Sequence, residues 1–412
     1  MKSKIDEVVR CDVFVAGNGL AGLTAALAMA RNGHEVLVAA PRQTRPDLRT
    51  TALLNGSIRF LETLDAWDEA RACAFPLSVM RIVDDTGRLV RAPQIDFRSS
   101  EIGLEAFGYN ISNSVLSACL TKACEATGKV RFIDASLEAC KRDGDRALID
   151  LSDKTRVEAC LAIGADGRQS QVRKDSGFGE RAWQYPQTAV VVDFEHELPH
   201  GDTSTEFHTP SGPFTVVPNG SGRSGLVWVV TPREAERIKR LEADELNLEI
   251  EQRMQSILGK VKTISPLQAW PLAGMVARRF GAGPIVLVGE AAHVVPPIGA
   301  QGFNLGIRDV ELLHGLAAPG ASLSGIGERY HVRRSGDVAV RAASIDVLNR
   351  SLLSGFLPVQ VARSLALYLL GSVSPLRRMV MREGVTPGEG LRALLSPEKA
   401  RQRIQDAMKA AR

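Results

Sequence analysis

The sequence predicts an α/β fold in which a helix-covered core is interrupted by mainly β segments and followed by a helical C-terminus. Three observations predict it. Residues 11–40 run apolar strand, glycine turn, small-residue helix and second apolar strand, the opening of a βαβ unit. Two stretches, 73–100 and 181–275, change to short β-rich runs separated by Gly, Pro and Asn turns. Beyond about residue 320 the pattern is helical.

Each element follows from its residues. CDVFVAG is a short apolar strand, LAGLTAALAMARNG a helix ending at Gly33, and EVLVAA a second strand. SIRFLETLDAWDEA reads as a helix. MRIVDD and LVRAP read as strands around a TGR turn. NSVLSACLTKACEATG is helical and GKVRFIDA is a strand. DGDRALIDLSD holds a hairpin turn, and CLAIGADGRQSQVR is an apolar strand running into a polar turn. TAVVVDFEH, STEFHT, FTVVP and GLVWVV are strands, and a charged helix occupies roughly 232–257. GPIVLVGEAAH is a buried strand and NLGIRDVELLHGL a helix. The organisation is a discontinuous Rossmann-like nucleotide-binding domain (1–72, 101–180 and 276–320), an inserted β-sheet domain (73–100 and 181–275), and a helical region, 321–412.

The 412 residues are 44% hydrophobic, enough to bury a proper core. A net charge of +4 without an aromatic-interleaved basic cluster argues against nucleic acid as a partner. Six cysteines, at 11, 73, 119, 124, 140 and 160, form neither a CxxC pair nor a zinc pattern. They read as reduced thiols of a cytoplasmic protein. The uncharged run Val13–Ala30 contains Gly17, Asn18, Gly19 and Gly22, so it is a strand and glycine turn rather than an export signal or a membrane span.

Three separated motifs carry the chemistry. In Gly17-Asn18-Gly19-Leu20-Ala21-Gly22, Gly17 permits the tight turn, Gly19 lets backbone approach a pyrophosphate, and Gly22 lets helix pack against strand. The second motif is Asp166-Gly167-Arg168-Gln169-Ser170-Gln171-Val172-Arg173. It places a carboxylate, a hydroxyl and a guanidinium at a strand end, more than a turn requires. In the third, VGEAAHVVPPIGAQGFNLGIRD (288–309), a buried strand delivers Glu290. Pro296 and Pro297 stiffen the loop, and Gly299 to Gly302 expose N–H groups before a helix from about Phe303. His293 reads as a hydrogen-bonded structural histidine.

Together with RTTALLNGSIRFLETL, YPQTAVVVDF, FHTPSGPFTVVP and SGLVWVV, the three motifs resemble the FAD-dependent aromatic hydroxylases with the para-hydroxybenzoate hydroxylase fold. Within that group the chain is most similar to the ubiquinone-biosynthesis hydroxylases. The resemblance spans roughly residues 10–345. It implies that Gly17, Gly19, Leu20, Ala21 and Gly22 hold the FAD pyrophosphate and that Arg49 meets the phosphates. Asp166 then lies near FAD and the nicotinamide donor, and Glu290 touches ribitol and pyrophosphate. Pro297, Gly299, Ala300, Gln301, Gly302, Phe303 and Asn304 line the isoalloxazine ring.

Three positions depart from the family pattern. Ala40 replaces the acid that grips the adenosine ribose, with Arg42 or Gln43 as substitutes. Glu290 stands for the usual Asp. Asn113 stands where relatives carry Arg at a helix start.

The implied reaction is ring hydroxylation of a polyprenylated phenol by O2, with FAD as cofactor and NAD(P)H as co-substrate. No particular side chain is assigned a catalytic role. Phe207, Phe214 and Trp228 are candidates to face the ring, with core packing the alternative for each. Residues 352–381 are apolar but carry Arg363, Arg377 and Arg378. The expectation is weak peripheral contact with the inner membrane, against a packed C-terminal helix or a surface for a quinone-biosynthesis complex. Two rival functions remain: a flavin-poor scaffold of such a complex, and a flavin-dependent isoprenoid reductase or epoxidase.

Overall fold

The computed structural model describes residues 8–42, 47–87, 92–297, 299–353, 368–370 and 372–385. Strand β1 (Val8–Ala16) leads through the glycine turn into helix α1 (Leu20–Arg31) and strand β2 (Val36–Ala40). Nine consecutive residues of α1, Gly22–Ala30, are buried, because small side chains let the helix sink onto the sheet. The first sheet has the path β18 (Gly281–Ala282), β19 (Ile285–Leu287), β11 (Arg156–Gly164), β1, β2, β8 (Val130–Asp134). The ribbon β9 (Leu137–Asp143) and β10 (Arg146–Leu151) is attached to β11. β1, β2, β8, β11 and β19 are mutually parallel. Their C-terminal ends therefore share one edge, the edge at which such sheets bind ligands.

The second sheet is largely antiparallel. Its path is β20 (His293–Val294), β17 (Gln268–Ala277), β12 (Glu180–His196), β15 (Arg223–Val230), β14 (Gly212–Pro218), β13 (Thr203–Thr209), β5 (Val79–Asp84), β6 (Ile95–Arg98), with β16 (Val261–Thr263) beside β12. A third sheet joins β3 (Thr50–Leu54), β7 (Gly108–Ser112) and β4 (Phe75–Pro76). Strand β20 comes from the third motif, so that loop is tied into the second sheet.

The helices are α2 (Asn55–Thr63), α3 (Asp68–Arg71), α4 (Asn113–Ala126), α5 (Gln171–Asp175), α6 (Pro232–Ile238), α7 (Ala243–Arg253), α8 (Gln301–Leu316), α9 (Ile326–Leu353) and α10 (Ser374–Val385). Three local expectations change. The charged helix over 232–257 is two helices, because Glu242 and Glu245 form a capping box that starts α7 afresh. The run SIRFLETLDAWDEA is also split, at Asp65, whose φ is 53°. Of the expected strand LVRAP, residues 89–91 lie outside the described residues, and the strand after β5 is Ile95–Arg98.

Of the expected membrane segment, residues 354–367 and 371 lie outside the described residues. Among those described, no helix is long and apolar enough to cross a membrane. Met381 and Val385 of α10 instead pack with Ile95, Phe97 and Phe107, and Arg377 pairs with Glu101 at 2.5 Å.

Candidate active site

The three motifs converge at the C-terminal edge of the parallel sheet. Ala165 donates its N–H to Ala16 O at 2.9 Å, joining the second motif to the first. A Cβ on Gly17 would lie 2.4 Å from Ala165 O, and one on Gly22 only 2.0 Å from Gly17 O. Gly289 and Gly306 bring the third motif in: a Cβ on Gly289 would meet Ala21 Cβ at 2.8 Å, and one on Gly306 would meet Gly289 Cα at 3.2 Å. These glycines are demanded by packing. Gly19 is different, because a Cβ there meets nothing within 4 Å. Its openness leaves room for a group that approaches the backbone from outside.

The second motif is a helix start and a bridge. Asp166 Oδ2 accepts the N–H groups of Gln171 and Val172 at 2.7 and 3.1 Å, and Ser170 Oγ accepts that of Arg173 at 3.0 Å. The buried Arg173 guanidinium donates to Ala291 O at 2.7 Å, fixing the second motif to the third. Asp166 Oδ1 is buried and makes no hydrogen bond among the described residues.

In the third motif, Glu290 is exposed on a 3-10 turn, Gly289–Ala291. His293 is buried and its Nε2 lies 2.7 Å from Asp309 Oδ2, which also accepts the N–H of Gly289 at 2.8 Å. Arg334 of α9 donates to the other oxygen, Oδ1. Burial opposes charge on Asp309, but the pull of His293 and Arg334 outweighs it and holds the carboxyl below its usual range. His293 is thus a structural histidine, and Asp309 and Arg334 are the residues that fix the loop. Asp309 closes the third motif, so its position was visible in the sequence; Arg334 had no signal.

Asn304 stands at the start of α8. Its Nδ2 donates to Ala52 O and Ala300 O, and its Oδ1 accepts the N–H of Leu54. Arg49 and Asn113 meet through a residue not singled out from the sequence, Asp47. The Arg49 guanidinium donates two hydrogen bonds to it, at 2.9 and 2.8 Å, its backbone N–H a third at 3.0 Å, and Asn113 Nδ2 one at 2.9 Å. Asn113 Oδ1 accepts the Thr51 hydroxyl at 2.6 Å. Asp47 is held below the usual carboxylate range by Arg49 and Asn113 although burial pushes the other way. Arg42 is exposed at the end of β2, and Gln43 lies outside the described residues.

The starts of α1 and α8 both lack a side-chain cap. Their first-turn N–H groups, with the positive end of each helix dipole, form a donor set suited to anionic groups. Gly19, Gly299 and Gly302 have no heavy atom within 3.8 Å of an ideal Cβ position. Open glycine backbone, uncapped helix starts and the unpaired Asp166 oxygen fit a dinucleotide laid across all three motifs.

The FAD binding domain model matches residues 10–335. The chain belongs to this FAD-binding family. It is 32% identical over 389 residues to ubiquinone hydroxylase UbiL of Rhodospirillum rubrum, covering 91% of this chain and 89% of the relative. It is 30% identical over 387 residues to 3-demethoxyubiquinol 3-hydroxylase of Escherichia coli, covering 90% and 97%. Among solved structures, p-nitrophenol 4-monooxygenase PnpA from Pseudomonas putida matches with a TM-score of 0.75 at 19% identity, over 93% of this chain and 99% of that one. That last likeness is one of fold. The flavoprotein is an FAD-dependent monooxygenase of the ubiquinone-hydroxylase group.

The second sheet of this flavoprotein has two unlike faces. Val190, Trp228, Phe214 and Phe207 are successive cross-strand partners and lie in one buried cluster with Ala235, Ile238, Leu246 and Ile250 of α6 and α7. The three aromatic candidates for facing the ring therefore have the packing role. The opposite face carries the partner row Val191, Val227, Thr215, Glu206, all half-buried. One row along, the Cβ position of Gly225 is 3.9 Å from Thr50 Oγ1 of β3, so this face is the one turned toward β3. Glu206 lies 2.9 Å from His208 Nε2 and 3.5 Å from Thr215 Oγ1.

Cys11, Cys124 and Cys140 are pushed up to about 12 by burial, which suppresses the thiolate needed for nucleophilic chemistry.

Proposed function

We propose that this monooxygenase uses NAD(P)H and O2 to hydroxylate the aromatic ring of a polyprenylated phenol in ubiquinone biosynthesis. The observation that carries the reading is the meeting of three distant motifs around open glycine backbone, in a chain that is 30% or more identical over nine-tenths of its length to two hydroxylases named for ubiquinone or demethoxyubiquinol. FAD, when bound, supplies hydride acceptance and oxygen activation; the protein supplies position and electrostatics.

Residues 1–72, 101–180 and 276–320 form the cofactor half, and 73–100 with 181–275 the substrate half. The N–H groups around Gly17, Gly19, Leu20, Ala21 and Gly22 take the pyrophosphate. Arg49, whose guanidinium is held by Asp47, which Asn113 fixes in turn, donates hydrogen bonds to the phosphates. Asp166 Oδ1 accepts a hydrogen bond that the protein does not provide. Pro297, Gly299 and Ala300, with the first turn of α8 anchored by Asn304, face the ring and stabilise negative charge there. Val191, Val227 and Thr215 form the wall against which the phenol lies, and the Glu206 carboxyl group receives its hydroxyl.

Peripheral membrane contact is part of the same reading. A prenyl chain partitions into the bilayer, and Tyr368, Leu369, Val373 and Val380 are exposed on the C-terminal segment. Binding to anionic, quinone-containing vesicles checks this; a protein that stays wholly in the supernatant contradicts it.

Metabolite profiling of a deletion strain tests the function. One under-hydroxylated prenyl phenol should accumulate and disappear on complementation. An unchanged quinone profile contradicts the reading.

A further inference from the structure

The first turn has its glycines, yet the end of β2 offers no carboxylate. Ala40 occupies the place where an acidic side chain ordinarily accepts a hydrogen bond from a ribose hydroxyl. Arg42 carries only donors on its side chain, so it cannot replace an acceptor. The neighbouring strand can. β2 and β8 are parallel, and Ala40 is the register partner of Asp134, the last residue of β8. Adjacent strands lie about 4.8 Å apart, and register partners present their side chains to the same face. Asp134 therefore stands at the same sheet edge, on the same face, one strand over.

The carboxylate is also drawn toward the position it would fill. Asp134 Oδ1 accepts the backbone N–H of Arg42 at 2.8 Å, so the side chain reaches across to the exit of β2. Asp134 is exposed, as a ligand-binding carboxylate must be. One oxygen holds the chain that follows Ala40, and a carboxylate has a second that can accept.

We propose that Asp134 supplies the adenosine-ribose acceptor that β2 lacks, transferring this function from the second strand to its neighbour. The inference rests on the reading of the glycine turn as the FAD site. It concerns cofactor affinity and not the chemistry at the ring.

The test titrates apo-protein with two probes, followed by flavin fluorescence: FAD, and FAD whose adenosine ribose lacks both hydroxyls. Wild type should prefer FAD by about tenfold or more, the worth of a hydrogen bond to a charged group. Asp134→Asn keeps an acceptor for the Arg42 N–H, so its apo melting temperature should match wild type. It should bind FAD weaker by that same factor and no longer distinguish the two probes. Ala40→Glu combined with Asp134→Asn should restore both affinity and discrimination. If Asp134→Asn binds FAD as tightly as wild type, or still discriminates as wild type does, the inference is overturned. Failure of wild type to bind FAD at all would overturn the site reading as well, and so marks a different failure.

Discussion

Asn304 Oδ1 accepts the N–H of Leu54 at 2.9 Å across 250 residues of chain, while its Nδ2 donates to Ala52 O at 2.8 Å. One amide thus pairs with both directions of the β3 backbone and fixes the start of α8 against it. The side chain is buried, so nothing in solvent replaces these bonds.

Asn304→Ala leaves the Leu54 N–H and the Ala52 carbonyl without their partner. A cost of about 1–3 kcal/mol is expected for an unsatisfied buried group. Thermal unfolding of the apo-protein should show a fall of several degrees. FAD titration should show weaker binding, because the flavin-side loop loses its anchor. An unchanged melting temperature contradicts the anchoring role.

Gly19 and Gly22 separate folding from cofactor binding. Gly22→Ala places a methyl 2.0 Å from Gly17 O, so folding itself should suffer. Gly19→Ala meets no protein atom within 4 Å, so the apo-protein should melt as wild type does. Its FAD affinity should nevertheless fall by at least about tenfold, since the methyl stands where the pyrophosphate approaches. Calorimetry of both apo-variants beside FAD titration checks the contrast. A Gly19→Ala protein with full FAD affinity contradicts the placement.

Asp309 ties pH to stability. Its carboxyl is lowered in the folded state: burial opposes the charge, and His293 and Arg334 more than offset that. The stabilisation is therefore complete above the unfolded value of about 3.9 and is lost as pH falls through the lower folded value. Asp309→Asn removes one of the two carboxylates that pair with the buried Arg334, Asp337 being the other, and should cost about 1–3 kcal/mol. Its stability should also vary less with pH below about 4. Denaturant melts across that acid range measure both effects; an identical acid slope in the two proteins contradicts the assignment.

The two faces of the second sheet predict opposite phenotypes. Glu206→Gln should lower kcat/KM for the phenol by about tenfold or more, with FAD affinity and melting temperature preserved. Phe214→Leu, on the α6 and α7 side, should cost about 1 kcal/mol of stability and leave KM alone. Steady-state kinetics and melting of the pair decide the orientation, and the reverse pattern would place the substrate on the wrong face.

What the sequence revealed was governed by local spacing. The glycine turn, the Asp-Gly motif and the proline-glycine loop each carry their pattern within a dozen or so residues, so their strand-turn-helix settings were readable. Period-two alternation announced the strands around Phe207, Phe214 and Trp228, but alternation does not say which face meets a partner. Contacts α6 and α7 make with those side chains decide it. Asp134 beside Ala40, Asp47 between Arg49 and Asn113, and Arg334 on Asp309 depend on strand register, loop path and helix packing. None leaves a trace in nearby sequence. Ala40 by itself looked like a missing function; in the sheet it has a carboxylate on the adjoining strand.

The central claim is FAD-dependent insertion of oxygen into a prenylated phenol. Purified protein, reconstituted with FAD and supplied with NAD(P)H, a prenylated phenol and isotopically labelled O2, tests it most directly by mass spectrometry of the product. The account predicts one labelled oxygen atom on the aromatic ring and no product when FAD is withheld. Product without label, or a protein that acquires no flavin absorption after FAD addition, would contradict it.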